Sequence, residues 1–368
     1  TFTGFLVPIR EAGVLLPQLA VAAAVRHLPV RKGVWLLGAA LSALSLFGMA
    51  ASAMLFEGAS AGWAILLMLV IFSLARGLCS VSAKDVLGKT VSKSRRGALM
   101  GWSASLSGIA VLGIGLWIGL VDLEDAGLGI FAGLLITGGI LWIFAAISFA
   151  AIREQPGATE GGGNALAVAL EQLTLLKTNE TFRHFVLARG MLLAVALAPP
   201  FYVLVAQQQS QQGLLGLGAL IIANGLATSL SAPFWCYLGD RSSRLVMMLA
   251  ASGAGVLGIF TWAAVEHGWQ WATGEFGLAI IFLLLNVMHG GVRLGRKVYL
   301  VDMATGENRA ALVAVSNTVI GVLMLAGGLV GLVGEWLGAA ATVLLLGMLS
   351  LLAALYISRL PQVSDYGD

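Results

Sequence analysis

Residues 84–99 read KDVLGKTVSKSRRGAL and residues 297–312 read KVYLVDMATGENRAAL, so an offset of 213 residues aligns Lys84 with Lys297. The same offset aligns four further pairs of residues: Arg96 with Arg309, Arg31 with Arg244, Gly108 with Gly321, and Gly115 with Gly328. Similarity at one fixed offset in separate regions is the signature of an internal repeat. The chain is therefore predicted to contain two related halves in parallel orientation.

The amino-acid composition indicates whether these halves fold in water or in a lipid bilayer. Of the 368 residues, 59% are hydrophobic and only 11% are charged, whereas a soluble domain carries about 25% charged residues. The mean hydropathy is +0.93. Apolar runs of about 20 residues, the length that spans a bilayer as a helix, recur along the whole chain. The sequence therefore predicts an all-α polytopic membrane protein.

The apolar runs predict eleven transmembrane helices, at residues 4–25, 33–55, 61–83, 98–120, 127–151, 183–206, 213–238, 245–265, 276–299, 311–333 and 337–358. The loops between them alternate in charge. All Lys and Arg residues outside the helices fall in every second loop or in the C-terminal tail. The positive-inside rule places those loops and the C-terminus in the cytoplasm, which fits a bacterial inner membrane.

The longest break between helices divides the chain. Residues 152–182 include the Gly-rich stretch REQPGATEGGGN and a segment that resembles a short amphipathic helix. We interpret them as a cytoplasmic linker between an N-terminal half-bundle, 1–151, and a C-terminal half-bundle, 183–360. The first half then has five helices and the second has six. The repeat thus predicts a twelve-helix protein whose first helix precedes Thr1.

The reactive side chains form no catalytic or metal-binding pattern. Cys79 and Cys236 lie in or at the end of apolar segments, and the four histidines lack HxxH or HExxH spacing. No Ser/His/Asp arrangement stands out. We therefore expect a protein that is not an enzyme, needs no cofactor or metal, and binds no nucleic acid.

This organisation resembles the major facilitator superfamily along essentially the whole chain. The family's loop signature, a Gly, an Asp-Arg pair and further basic residues, corresponds to CYLGDRSSR. The resemblance makes Asp240, Arg241 and Arg244 a gating loop, although Cys236 replaces the leading Gly. In the first-half copy, AAAVRHLPVRK, His27 replaces the Asp. The family's expected fold is a two-fold pseudo-symmetric helical bundle, and its expected activity is secondary transport by alternating access.

Two polar stripes lie on corresponding helices. Asn286, His289, Arg293 and Lys297 follow one another at spacings of three, four and four, which places them on one helical face. Subtracting 213 gives the corresponding stripe in the first half: Ser73, Arg76, Ser80 and Lys84. The resemblance assigns both helices to the cavity wall, and it relates Arg76 with the following Gly to an RG motif linked to proton coupling.

The stripes are basic, which indicates what the cleft binds. A charged side chain at bilayer depth costs about 3 kcal/mol or more unless it faces a cavity or a partner. We therefore expect both stripes to line one aqueous cleft, with Arg189 at its cytoplasmic mouth. Guanidinium groups bind carboxylate and phosphate in bidentate geometry, so the solute is predicted to be a small organic anion or zwitterion. The alternatives are structural: Lys84, Lys297 and Arg189 can extend to the interface, and Arg76 can tie helices together.

Arg10 and Glu11 interrupt the first apolar run in PIREAGVLLPQ. Adjacent helical residues point about 100° apart, so the sequence predicts that they do not pair with each other and that each needs another partner. The offset aligns Glu11 with Asn224, which places a polar group at the same depth in each half. Glu11 is the first candidate for a proton carrier and His289 the second, while a structural tie from Glu11 to another helix, or to Arg10 in a kinked turn after Pro8, remains an alternative.

The sequence thus favours a transporter for a small anionic solute, with proton coupling as an extension of that hypothesis. Two other interpretations stay open. One is a non-transporting assembly or scaffold subunit of a membrane complex, and the other is an efflux pump for small amphiphilic compounds. Matched basic residues deep in the membrane favour transport, because a scaffold does not need them. A monomer is expected, with a protein partner not ruled out.

Overall fold

A computed structural model describes residues 2–15, 28–90, 103, 106–117, 127–156, 173–209, 214–304 and 309–363. Its helices are α1 (Phe2–Leu15), α2 (Lys32–Leu55), α3 (Gly58–Thr90), α4 (Leu106–Trp117), α5 (Gly127–Ala150), α6 in three parts (Glu180–Met191, Leu193–Leu197, Pro199–Gln209), α7 (Leu214–Arg241), α8 (Ser243–Glu266), α9 (Glu275–Met303), α10 in two parts (Arg309–Gly327, Val330–Leu337) and α11 (Ala339–Ile357). Two single-turn helices lie at Leu175–Thr178 and Gln270–Thr273.

Within these described ranges, eight helical spans are long and apolar enough to cross a bilayer. They are α2, α3, α5, α6, α8, α9, α10 and α11, each with at least 19 residues in the span. The protein is an integral membrane protein with an all-helical fold. The amphipathic helix predicted for the linker, residues 165–182, falls partly on 165–172, outside the described residues; in its described part a single-turn helix spans Leu175–Thr178 and α6 begins at Glu180.

Helix packing follows the same order in both parts of the chain. In the first half, α2 packs against α3 and α5, and α1 packs against α3. Their partners at an offset of about 213 residues make the same pairs: α8 packs against α9 and α11, and α7 packs against α9. The two halves meet through α1 and α10, and through α4 and α7. This correspondence is what the repeat predicted.

Two glycines related by the repeat form those contacts between halves. A Cβ built on Gly115 of α4 would lie 3.0 Å from side-chain carbons of Ile221 and Ile222 on α7. A Cβ built on Gly328 would lie 2.7 Å from the Phe5 ring of α1. Small residues permit close helix approach where lipid provides no hydrophobic force between helices. The glycines therefore set the separation of the two halves.

Charged residues tie together the ends of the helices on the face assigned to the cytoplasm. The Lys32 ammonium donates hydrogen bonds to the carbonyl oxygens of Ala150 (2.9 Å) and Ile152 (3.0 Å), and the Glu154 carboxylate accepts from the backbone N–H of Lys32 at 2.7 Å. In the second half, Arg244 Nη1 donates to the Leu360 carbonyl at 2.7 Å. Each half thus joins the start of α2 or α8 to the chain that follows α5 or α11.

Helix α6 is interrupted at Leu192 and at Ala198. Pro199 and Pro200 follow the second interruption. Since proline has no N–H, neither residue can donate the helical hydrogen bond to the preceding turn. The missing donors account for the break at Ala198.

A close crossing of α8 and α11 gives a test of the packing. A Cβ on Gly258 would lie 2.8 Å from the Gly347 Cα and 2.9 Å from the Val343 carbonyl oxygen, both backbone atoms. We expect Gly258→Ala to lower the free energy of unfolding by about 2 kcal/mol, since the helices must separate. Thermal unfolding in detergent measures this. The matched control is Gly133→Ala, where nothing lies within 4 Å of a built Cβ; equal effects of the two variants would contradict the prediction.

Candidate functional site

A cavity of about 500 Å³ lies between α1 of the first half and α6, α7 and α9 of the second. We call it the main cavity. Its polar lining comes from three of these helices, α1, α7 and α9, and comprises Arg10, Asn224, Thr228, Asn286, His289 and Arg293. Pro199 and Pro200 also line it, so the break in α6 opens onto the cavity wall.

The polar stripe of α9 forms one wall of this cavity. Asn286, His289 and Arg293 all line it, which is where their spacing of three and four residues would direct them. The Asn286 amide also donates to the Phe282 carbonyl at 2.8 Å, which leaves its carbonyl oxygen available. Their binding of a solute stays a prediction, but the geometry that it requires is present.

The corresponding stripe of α3 has different surroundings. Ser73 is buried, donates to the Leu69 carbonyl of its own helix at 2.7 Å, and packs against Gly13 of α1. The Arg76 guanidinium lies over the Phe72 ring, 5.9 Å from its centroid. Neither of these residues nor Ser80 lines the main cavity. Within the described part of the chain the two stripes are therefore not joined in this cavity, and the role predicted for the α3 residues remains a prediction.

Arg10 and Glu11 do pair with each other, although the directions of adjacent helical residues predict otherwise; the pair agrees with the alternative of a structural tie between Glu11 and Arg10. Arg10 Nε and Nη2 both donate to Glu11 Oε1, at 3.1 Å and 2.9 Å. The argument from the 100° separation applies to Cβ directions. It fails here because the long arginine side chain turns back along the helix surface and reaches its neighbour. The main cavity is thus lined by an arginine that is already bonded to a carboxylate.

Arg189 has a different environment from the one that the sequence suggested. It is buried, with 7% of its surface exposed. Its Nη1 donates to Ser316 Oγ at 2.6 Å and its Nη2 donates to Asn317 Oδ1 at 2.9 Å, both on α10. These bonds hold the first part of α6 against α10. The guanidinium does not line the main cavity, so its role at the cytoplasmic mouth remains a prediction.

Two arginines near the cavity were missed by the sequence reasoning. Arg10 was assigned no place in the cavity, although it lines it. Arg296 of α9 is half-buried and lies within electrostatic range of Glu11, His289 and Arg293. A signal for Arg296 was available, because 289, 293 and 296 also share a helical face at spacings of four and three. The choice of Lys297 as the end of the stripe concealed it.

The residues assigned to the gating loop are distributed between two environments. Arg241 Nη2 donates to Tyr237 Oη at 2.6 Å, and its guanidinium lies 4.9 Å from the Tyr237 ring centroid. Arg244 bonds to the chain after α11, as described above. The Asp240 side chain lies outside the described residues. A gating role for the three residues stays a prediction. Across the described ranges, no group of three His, Cys, Asp or Glu residues is placed to bind a metal ion.

This arrangement of helices is shared with solved structures of other proteins. No family model and no curated protein matches the chain. Solved structures do match. A variant of the nucleoside transporter NupG is similar at 14% identity and a TM-score of 0.75, and the alignment covers 98% of this chain and 90% of that chain. A D-xylose-proton symporter is similar at 14% identity and a TM-score of 0.69, covering 98% and 88% of the two chains. A POT family transporter in complex with 5-aminolevulinic acid is similar at 13% identity and a TM-score of 0.72, covering 97% of this chain and 87% of that chain.

The chain therefore has the fold of the major facilitator superfamily, the family to which the matching proton:xylose symporter XylE is assigned. The likeness extends over nearly the whole chain in each case. At these identities it defines the fold and leaves the solute to be inferred from the residues of the cavity.

Proposed function

We propose that this protein is a secondary transporter that moves a small organic anion, or a zwitterion with an anionic group, by alternating access. It would act in a bacterial inner membrane with its C-terminus in the cytoplasm. One observation supports the solute class above the others. Arg10, His289 and Arg293 line a single cavity, and none of the described residues lining that cavity is a carboxylate.

The fold alone does not select a solute. The similar structures are named for a nucleoside, for D-xylose and for a complex with 5-aminolevulinic acid, which differ in charge. The solute class must therefore be inferred from the charged residues that line the cavity. Since Arg10 is paired with Glu11, the preference for an anion depends on Arg293. A guanidinium without an anionic partner is costly at membrane depth, and binding of an anionic solute would recover that cost. A carboxylate or phosphate can accept two parallel hydrogen bonds from one guanidinium, which favours an oxyanion over a halide.

The amides and hydroxyl of the cavity add recognition of uncharged groups. Asn224 and Thr228 of α7 lie across from Asn286 of α9 in the same lining. Amide side chains can both donate and accept hydrogen bonds. The cavity is thus suited to a solute with an acidic group near the arginines and hydroxyl or amino groups elsewhere. A volume of about 500 Å³ is within the usual range of sites for small molecules.

Thermal unfolding of the purified full-length protein tests this proposal. A panel of carboxylates, phosphates, quaternary amines, sugars and nucleosides is added to the protein in detergent. A ligand at one hundred times its Kd stabilises the folded state by about 2.7 kcal/mol, which appears as a rise in melting temperature. We expect stabilisation by anions alone, and its loss in Arg293→Gln. Stabilisation by cations or by neutral sugars, with none by anions, would contradict the proposed solute class.

We further propose that transport is coupled to protons, with Glu11 as the first proton carrier and His289 as the second. Both residues can bind and release a proton. His289 lines the main cavity, and Glu11 is bonded to a residue that lines it. A proton on Glu11 would weaken its bond to Arg10 and leave that guanidinium for the solute. Occupation of the cavity and protonation of Glu11 would then favour one another.

A further inference from the structure

A second cavity, of about 290 Å³, lies next to the main cavity along α7 and α9. We call it the inner cavity. Its polar lining comprises Thr228, Ser231, Cys236, Arg293 and Lys297. Thr228, Gly290 and Arg293 line both cavities, so the two spaces meet at these residues. Since Lys297 and Cys236 lie towards the ends of α9 and α7 that were assigned to the cytoplasm, the inner cavity lies on the cytoplasmic side of Arg293.

One wall of the inner cavity is firmly held. Trp235 is 3% exposed, and its indole N–H donates to the Val287 carbonyl of α9 at 2.8 Å. A Cβ on Gly291 would lie 2.7 Å from the Trp235 ring, so α9 and the indole are in direct contact. The wall that separates the cavity from the bundle interior is therefore formed before any ligand binds. Two basic side chains and two hydroxyls complete the lining, whose described members include no carboxylate.

We propose that the inner cavity is a second binding subsite for a small oxyanion, a carboxylate, sulfonate or phosphate, located between the main cavity and the cytoplasm. Arg293 belongs to both sites and Lys297 to the inner one alone. An anion that leaves the main cavity would remain bonded to Arg293 while Lys297 replaces Arg10 as the second cation. The barrier to its passage would be lowered because no step leaves the charge without a basic partner.

This subsite extends the proposed transport function, but it can be tested without transport. Cys236 lines the inner cavity and is exposed, while the other cysteine, Cys79, is buried. In a full-length Cys79→Ala protein, Cys236 thus reports on small reagents that enter from water. Its thiolate attacks a methanethiosulfonate, forms a disulfide bond with the transferred thiol group, and releases methanesulfinate. Three reagents share this chemistry and differ only in the group on the transferred sulfur: ethylsulfonate is anionic, trimethylammonium-ethyl is cationic and methyl is neutral.

We expect the anionic reagent to modify Cys236 about tenfold faster than the cationic one, each rate being divided by that of the neutral reagent. Arg293→Gln and Lys297→Gln should each reduce this ratio by about threefold, and the double variant should abolish it, because each removes one charge near the thiol. The neutral rate corrects for changes in access or thiol reactivity. Arg359→Gln is the matched control, because Arg359 is exposed near the same end of the bundle and lines neither cavity.

Inorganic phosphate is the probe for occupancy. In liposomes of phosphatidylcholine, phosphate should slow modification of Cys236 by the neutral reagent, and Lys297→Gln should remove that protection. If only added phosphatidylglycerol protects, the ligand of the subsite is a lipid headgroup and a free solute is excluded. Equal rates for the anionic and cationic reagents would overturn the subsite, while leaving the thermal stabilisation by anions at the main cavity as a separate result.

Discussion

Arg293→Gln is expected to reduce uptake of the transported anion, measured at low concentration, by about 100-fold or more. A factor of 100 corresponds to about 2.7 kcal/mol. This is the range expected for the loss of a charge-assisted bidentate contact within a membrane cavity. The loss should be larger than at any other cavity residue, because Arg293 is the one charged residue among the described lining that faces both the main and the inner cavity. Initial uptake into liposomes, with the anion that most stabilises the protein, measures it.

Two further variants, one at Arg293 and one outside both cavities, separate the effect of losing a charge from the effect of losing its hydrogen-bond geometry. Arg293→Lys keeps the charge but cannot make two parallel hydrogen bonds, so we expect about tenfold slower uptake. Arg359→Gln removes a charge outside both cavities and should leave uptake unchanged. Melting temperatures of the three proteins without ligand show whether folding is affected. Normal uptake by a folded Arg293→Gln protein would remove the residue from the transport path and, with it, the main support for an anionic solute.

Much of the fold follows from the sequence, for a physical reason. A helix in lipid must satisfy every backbone group internally, so a run of about 20 apolar residues has few alternatives to a spanning helix. The predicted helix 33–55 corresponds to α2 (Lys32–Leu55), and the predicted helix 276–299 lies within α9 (Glu275–Met303). The offset of 213 residues also identified which helices pack in corresponding pairs. Those inferences required only length, hydropathy and repetition.

The rotation of each helix about its axis was harder to predict. On α9 the polar residues are numerous enough to mark one face, and that face lines the main cavity. On α3 the residues between Trp63 and Phe72 are all apolar, and Ser73, Arg76 and Ser80 are followed closely by Ser82, so the pattern marks one face less clearly. There Ser73 is used in close packing against Gly13 and bonds its own backbone. Repetition of a sequence pattern therefore did not guarantee repetition of the environment.

Side-chain partners could not be read from the sequence where they depend on length and contact between distant helices. The Arg10–Glu11 pair depends on the conformation of a flexible side chain. Arg189 bonds to Ser316 and Asn317, more than 120 positions away. In both cases an arginine forms side-chain hydrogen bonds within the protein at a place where the sequence suggested an electrostatic role. Arg10, unlike Arg189, also lines the main cavity, and this is why its partner Glu11 is the first candidate for the proposed proton carrier.

Glu11→Gln is therefore expected to abolish the accumulation of solute driven by a pH gradient, while exchange of labelled for unlabelled solute across liposomes continues. Glutamine can still accept a hydrogen bond from Arg10 through its side-chain oxygen, so the geometry of the pair is retained. It cannot bind and release a proton. The groups that face Glu11 are Arg10 on its own helix and His289 and Arg296 on α9. All three carry or can carry positive charge, so within this described cluster Glu11 is the only group that alternates between neutral and negative.

Comparison with Glu11→Ala separates coupling from structure. Alanine removes the partner of Arg10 altogether. If Glu11→Ala lowers the melting temperature and Glu11→Gln does not, the pair stabilises the fold in addition to coupling transport to protons. The substitution His289→Gln tests the second candidate in the same liposomes. If Glu11→Gln accumulates solute as the unaltered protein does and His289→Gln does not, the proton carrier is the imidazole on the cavity wall. If both variants keep the full dependence on the pH gradient, neither group carries the proton, and the Arg10–Glu11 pair is a structural feature of α1 whose charge serves only to hold Arg10 at the cavity.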